Sequence, residues 1–288
     1  MIRRIWALPT GKIAFAVLGL VALLAVLGPL VAPQDPLAGS PQALAGPTWQ
    51  HWLGTDYLGR DVLSRLLAGS RTSILGSLEV ALMALAVGVL PGILSVYLGR
   101  VFEWTVLRVT DTLIALPFLV FAVAVTALLG NGITQAMLTV GVLVSPLFFR
   151  VSRAATLSVA RSQDVEAALI CGASFGQVLR RHVWAKVLPP IGIALAQTIG
   201  VGFVVVSSLT FLGVGVQPPA PTWGGLLASD LGYLDYQPWA PVVPALLIMG
   251  TVWGCNLLAD ALRDVSGPSG HLLSRKSVGS VVSPEVSR

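Results

Sequence analysis

The chain is predicted to be an all-α polytopic membrane protein with about six transmembrane helices and both termini in the cytoplasm. Three observations carry this. Of its 288 residues, 55% are hydrophobic and 11% charged, against roughly 25% charged in an average soluble domain, so a soluble fold would lack the polar groups to cover itself. Mean hydropathy is +0.83, and the apolar residues fall in runs long enough to cross a hydrocarbon core of about 30 Å. Lys and Arg are also unevenly placed. With a cytoplasmic N-terminus, fifteen lie in inner segments and only three, Arg60, Arg65 and Arg71, in outer loops, as the positive-inside rule requires. The net charge of +5 is spread over short loops without interleaved aromatics, which speaks for membrane topology and against a nucleic-acid partner. Two cysteines, Cys171 and Cys255, make no disulfide framework.

Residues 1–12 form a cytoplasmic N-terminus with Arg3, Arg4 and Lys12, and Ile13–Val31 is the first span. That run is too long for the apolar core of a cleaved signal, so it is expected to stay as an anchor. Residues 32–71 read as an external loop: Pro33, Pro36, Pro41 and Pro47 break helices, and Trp49, Trp52 and Tyr57 suit an interfacial belt. Within it, Asp61 caps a short amphipathic surface helix with Val62, Leu63, Leu66 and Leu67 at helical spacing. Thr72–Gly99 is the second span, with Glu79 near the interface and a kink at Pro91-Gly92. Arg100, Glu103 and Arg108 mark a connection. Thr112–Leu129 is the third span, interrupted by Pro117 and ending in the Gly130-Asn131-Gly132 turn. Ile133–Phe149 is the fourth span. Val187–Leu212 is the fifth, Gly213–Pro238 a second external loop, and Trp239–Leu258 the sixth. Residues 72–264 thus form a core of five spans, and the Ser/Gly-rich tail 265–288 is expected to be flexible.

Between the fourth and fifth spans lies a polar, basic interval, residues 150–186. Its pattern reads as two short helices joined at a glycine. Asp164 and Glu166 sit where a first turn favours acids, Ala167 and Ala168 favour helix, and Gly172 suits a left-handed C-terminal position. Ser174 followed by Gln177 is a capping box, after which Val178, Leu179 and Val183 form an apolar stripe opposite Arg180 and Arg181. The small Ala167, Ala168 and Ala173 permit close approach by a partner. On composition alone, a topology-setting loop and a docking surface fit equally well.

Spacing shifts the balance. Glu166-Ala167-Ala168, three residues, then Gly172, with Leu188-Pro189 downstream, resembles the cytoplasmic loop signature of permease subunits in binding-protein-dependent ABC importers. Gly54-Thr55-Asp56-Tyr57-Leu58-Gly59-Arg60-Asp61 with Ser64-Arg65 and Gly69 is similar to the external signature of the dipeptide/oligopeptide/nickel branch. So are Gly213-Val214-Gly215-Val216-Gln217-Pro218-Pro219 with Trp223-Gly224, and Asn256-Leu257-Leu258 with Asp260 and Leu262-Arg263-Asp264. The matches run from about residue 50 to 264, in order and on consistent membrane sides, and the long first external loop resembles the second permease of such pairs. One departure stands out: where the family shows a Leu-Pro-Asn-like run after His182, this chain has Val183-Trp184-Ala185-Lys186, so the second short helix can extend to Lys186.

The resemblance implies a type I ABC importer fold in the bacterial inner membrane. It implies a second permease as heterodimer partner, two ATPase subunits holding ATP and Mg, an external substrate-binding protein and surrounding lipid, with no cofactor bound by this chain. Glu166, Ala167, Ala168, Gly172, Ala173 and Ser174 would dock the ATPase. Gly54, Thr55, Asp56, Gly59, Arg60 and Asp61 would form the external signature. Gly202, Ser207, Ser208, Gln217 and Trp223 are candidates for the pathway or gate, although Gly202 and both serines suit helix packing equally. The chain has no phosphate-loop motif for ATP, and its three histidines, His51, His182 and His271, are scattered, so an enzyme or a histidine metal site is not expected. Imported peptides are favoured over nickel or another chelated solute, because no His/Cys/Met cluster lines a predicted span. An ion-coupled secondary transporter is disfavoured, because Glu79, Asp111 and Asp260 fall near predicted span ends rather than at the membrane middle.

Overall fold

A computed structural model describes residues 2–267 except 131 and 161; the tail expected to be flexible lies outside the described residues from 268 on. The described chain is helical, with strand-like pairing only in two isolated bridges, Gly39 with Arg60 and Thr55 with Asp61. In order, the helices are α1 (Ile2–Ala7), α2 (Pro9–Val31), α3 (Val62–Leu94), α4 (Arg100–Ala115), α5 (Phe118–Leu129), α6 (Ile133–Ala160), α7 (Gln163–Ile170), α8 (Phe175–Val178), α9 (Trp184–Phe211), α10 (Trp223–Leu231) and α11 (Val242–Ser266). Five of them, α2, α3, α6, α9 and α11, are long and apolar enough to cross a membrane, and there are six if α4 and α5, bent by 97° to each other, count as one broken span.

The short surface helix expected after Asp61 is a correction: it is the start of α3, which runs unbroken for 33 residues. Nothing between Val62 and Leu90 removes a backbone donor. The polar residues that suggested a boundary, Ser64, Arg65, Ser70, Ser73 and Ser77, are buried against other parts of the chain. Glu79 consequently sits about midway along α3 rather than at a span end, and its Oε2 is buried without a hydrogen-bond partner among the described residues. The third span is also corrected. Leu116 (ψ 138°) and Pro117 (ψ 101°) are extended, since a proline ring clashes with a helical residue before it. Residues 112–129 therefore belong to two helices. The fourth span continues past Phe149 to Ala160, the fifth begins at Trp184 and passes through Pro189 and Pro190, and the sixth is shifted to Val242–Ser266.

α3 is the central element, packed against α2, α6, α9 and α10. Its tightest crossing is with α6. A Cβ on Gly88 would meet the Ser145 carbonyl and Phe148, and one on Gly92 would meet Ser152 and Phe149. This spacing of small residues lets two backbones approach where lipid supplies no hydrophobic drive. Around that crossing lie Val89, Ile93, Phe148 and Val159, which share one apolar cluster with Val165, Val178, Val183 and Val187. A second cluster joins Val80, Met137, Val140, Val206 and Leu209 of α3, α6 and α9. Outward faces carry exposed leucines and valines such as Leu20, Leu23, Val26, Leu82, Leu90, Val201 and Leu246, as expected of surfaces that meet lipid.

Candidate functional site

Two regions at opposite ends of α6 and α9 hold the residues singled out by sequence. In the first, α6 ends at Ala160 and the chain turns directly into α7, with the Ser162 carbonyl accepting from the N–H groups of Val165 and Glu166 at 3.0 and 3.2 Å. Gly172 follows with φ +83°. Its Cβ position is open space, so glycine is required there by backbone conformation alone. The Ala173 N–H donates to the Ala168 carbonyl at 3.0 Å, the long bond of a Schellman C-cap. Ser174 then starts α8 reciprocally: its N–H donates to Gln177 Oε1 at 2.9 Å, and its Oγ accepts from the Gln177 N–H at 3.4 Å. A single π turn, Leu179–Val183, carries α8 into α9 without a break. The Val183–Lys186 departure thus extends the second short helix straight into the span.

This element has an anchored side and an open side. Val165, Val178 and Val183 are buried in the α3/α6 cluster, with Ala168 and Ala173 packed against it. Glu166, Ala167, Cys171, Gly172 and Ser174 are exposed, and Ile170 is 86% exposed. Of the two central alanines, therefore, only Ala167 faces outward. Lys186 Nζ lies 2.6 Å from Asp164 Oδ2 and ties the first short helix to the base of α9. Beside it a cleft of about 650 Å³ is lined by Ala173, Gln177, Arg180 and Arg181. Near this end α4 is held to α6 by pairing of Glu103 with Arg153 and of Asp111 with Arg150 at 3.5 Å, and Asp111 also lies 3.8 Å from Arg108.

At the other end, residues 32–61 fold into a compact cap rather than a loose loop. Gly54 and Gly59 adopt φ +81° and +73°, turning the backbone so that Thr55 and Asp56 are buried while Tyr57 and Leu58 stay exposed. Thr55 is fully buried; its Oγ1 accepts from the Ala45 N–H at 3.0 Å and donates to the Gln42 carbonyl at 2.5 Å. Asp56 Oδ1 accepts from the N–H groups of Leu58 and Arg60, both at 2.9 Å, and Oδ2 from Arg60 Nε at 2.7 Å. Asp61 caps α3 through the Ser64 N–H at 2.8 Å and also lies 2.9 Å from His51 Nδ1. Gly54, Thr55, Asp56, Gly59, Arg60 and Asp61 are brought together by this framework, with Asp56, Arg60 and Asp61 each less than a tenth exposed.

The pathway candidates are dispersed. Gly202 faces Ser77 and Val80 of α3, and Ser207 is buried. Ser208 Oγ donates to its own helix at Val204 O, a bond that serines commonly make. Gln217 is exposed in the second loop. Trp223 is fully buried: its indole N–H donates to the Leu66 carbonyl at 3.0 Å, its backbone N–H to Ser73 Oγ at 3.0 Å, and its ring lies 5.5 Å from that of Phe203. It locks α10 to α3 and α9 and presents no surface to a passing solute. Sequence reasoning missed Gln237, whose Nε2 donates to the carbonyls of Ala45 and Thr55 at 2.7 and 2.9 Å. It also missed Trp239, whose Nε1 donates to Leu53 O at 3.2 Å. Both sit in a polar stretch just before α11, the one sequence sign that this loop ties to another.

Fold and site together define a multi-span helical membrane protein with a two-helix element mounted between consecutive spans. The model of the family described as "Binding-protein-dependent transport system inner membrane component" matches residues 84–269, and the chain belongs to that family as a multi-pass protein of the bacterial inner membrane. It is similar to the "Probable D,D-dipeptide transport system permease protein DdpC" of Escherichia coli, 34% identical over 92% of this chain and 90% of the relative. It is 30% identical to the dipeptide transport system permease protein DppC of Alkalihalophilus pseudofirmus over 89% of this chain and 86% of the relative. A glutathione transport system permease protein, GsiD, of Escherichia coli is 35% identical over 77% and 74%.

Proposed function

We propose that this chain is the permease subunit of an ATP-driven importer of short peptides, pairing with a second permease across which the pathway forms. An external binding protein delivers the peptide, and two ATPase subunits, holding ATP and Mg, dock on the exposed side of α7 and α8. The carrying observation is mechanical. The open face of Glu166, Ala167 and Gly172 sits on an element whose other face is buried in the α3/α6 core and whose C-terminal end is continuous with α9. A push on that face therefore bears on the α3/α6 core and, through α8, on α9. The peptide substrate is supported by the names of the dipeptide and glutathione relatives. Glu79, placed mid-helix, no longer argues against ion coupling; the family match does.

The test is ATP hydrolysis by the complete complex in proteoliposomes. Ala167→Arg places a long cation on the exposed face without entering the core. Stimulation by peptide-loaded binding protein is expected to fall at least tenfold, while the two permeases still co-purify. Undiminished stimulation would overturn the docking assignment.

A further inference from the structure

Beneath the cap lies a cavity of about 310 Å³, bounded by the 32–61 segment, the C-terminal end of α9, the second loop and α10, and lined among others by Tyr57, Arg60, Arg65, Pro218, Ala228 and Ser229. Arg60 and Arg65 are each 6% exposed, and both reach the same oxygen, Asp56 Oδ2, through their Nε atoms at 2.7 and 3.4 Å. Two guanidinium groups are thus held side by side on one carboxylate. Their hydrogen bonding is incomplete. Arg65 Nη1 donates to the Pro36 and Pro219 carbonyls at 3.1 and 3.5 Å, but among the described residues Arg65 Nε makes no hydrogen bond and the Arg60 guanidinium donates only through Nε. Next in sequence to the lining residue Ser229, Asp230 is 5% exposed; its Oδ1 accepts from Ser229 Oγ at 3.1 Å, while among the described residues Oδ2 has no hydrogen-bond partner and no ion pair closes between it and either arginine.

Buried donors and acceptors are nearly always paired, since each one left unmade costs more than the bond itself contributes. Guanidinium groups presenting free donors in a fixed fork match the planar geometry of a carboxylate. We infer that this cavity is a binding site for the carboxylate of a small solute, held by the free donors of Arg60 and Arg65 under the cap. Resting on the peptide reading, the carboxylate is the free C-terminus of an incoming peptide, and the apolar lining from Val216 and Pro218 receives its last side chain. The cavity's size, at the lower end of the roughly 300–1,000 Å³ typical of ligand pockets, admits a dipeptide.

The experiment uses the assembled permease pair with its ATPases, without binding protein, in detergent. Ala-Ala and its C-terminal amide are titrated by equilibrium dialysis against wild type, Arg65→Gln and Ala228→Phe, the last filling the cavity without touching the charge network. The free acid is expected to bind at least tenfold tighter than the amide, and both variants to lose that difference while remaining assembled. Equal binding of acid and amide, or a preference surviving in Ala228→Phe, overturns the site. So does an Arg65→Gln complex that keeps the acid preference but, in a separate pull-down with binding protein added, no longer retains that protein, which would assign the arginines to an acidic protein surface. ATP-driven uptake of Ala-Ala by the complete transporter separates the two readings: uptake without the acid preference sinks this site alone, and absence of uptake of any peptide sinks the functional proposal with it.

Discussion

Asp56 sits between two buried guanidinium groups and two backbone N–H groups, so it neutralises charge and fixes the turn at once. Removing one partner of a buried pair leaves the other charge uncompensated, which costs roughly 3–5 kcal/mol. Asp56→Ala is accordingly expected to lower the melting temperature of the purified protein well below that of an Asp35→Ala control in the same cap. Asp230 acts in the opposite sense. Burial pushes its carboxyl up to about 6 from the usual 3.8, offset in part by the Ser229 hydrogen bond. Above pH 6 the folded protein therefore keeps a carboxylate ionised where ionisation is unfavourable. As pH falls from 6 towards 4 the folded protein takes up a proton that the unfolded chain does not, and stability rises. Asp230→Asn removes that penalty, on the order of 2–3 kcal/mol at neutral pH. Its melting temperature is expected to exceed wild type at pH 7.5, with the gap closing by about pH 4.

At the scale of elements, what was legible in the sequence is what depends on neighbours a few residues away. The Gly172 turn, the Ser174–Gln177 cap and the Asp61 cap each arise from one residue's conformational preference or one side chain's reach, and all three are found where spacing placed them. The continuity of α3 from Asp61 into the span was not legible, because Ser64, Arg65 and Ser73 look like interfacial residues until their distant partners at Gln34, Pro36, Pro219 and Trp223 are known. Trp223 misled for the same reason: an aromatic in a Pro-rich loop reads as surface, and only the Leu66 carbonyl shows it to be core. Two element-scale outcomes follow. Gly172→Val forces a β-branched residue into left-handed backbone at a cost of roughly 1–2 kcal/mol or more. The melting temperature should fall by only a few degrees while ATPase stimulation by loaded binding protein is lost. Gly92→Val drives a side chain into Ser152 and Phe149 of α6, and is expected to reduce the yield of assembled protein by separating the central helix pair.

Over the whole molecule, the positive-inside count and the two differently built ends make a joint statement about orientation. The end bearing α7 and α8 carries Arg150, Arg153, Arg180, Arg181 and Lys186, whereas the capped end buries Arg60 and Arg65 in ion pairs and exposes Trp49 at 96% and Trp52 at 66%. An excess of Lys and Arg marks the cytoplasmic side of a bilayer, and exposed tryptophans settle at its interface. On that rule the capped end is expected to face outward. Thiol labelling tests this directly, because Cys171 is exposed and Cys255 buried. A membrane-impermeant maleimide should leave Cys171 unlabelled in spheroplasts and label it in inside-out vesicles stripped of ATPases. Trp49→Cys, made in a Cys171→Ser background, should show the reverse pattern. Labelling of Cys171 from outside the spheroplast would invert the protein, and with it the assignment of α7 and α8 to the ATPases and of the capped cavity to incoming solute.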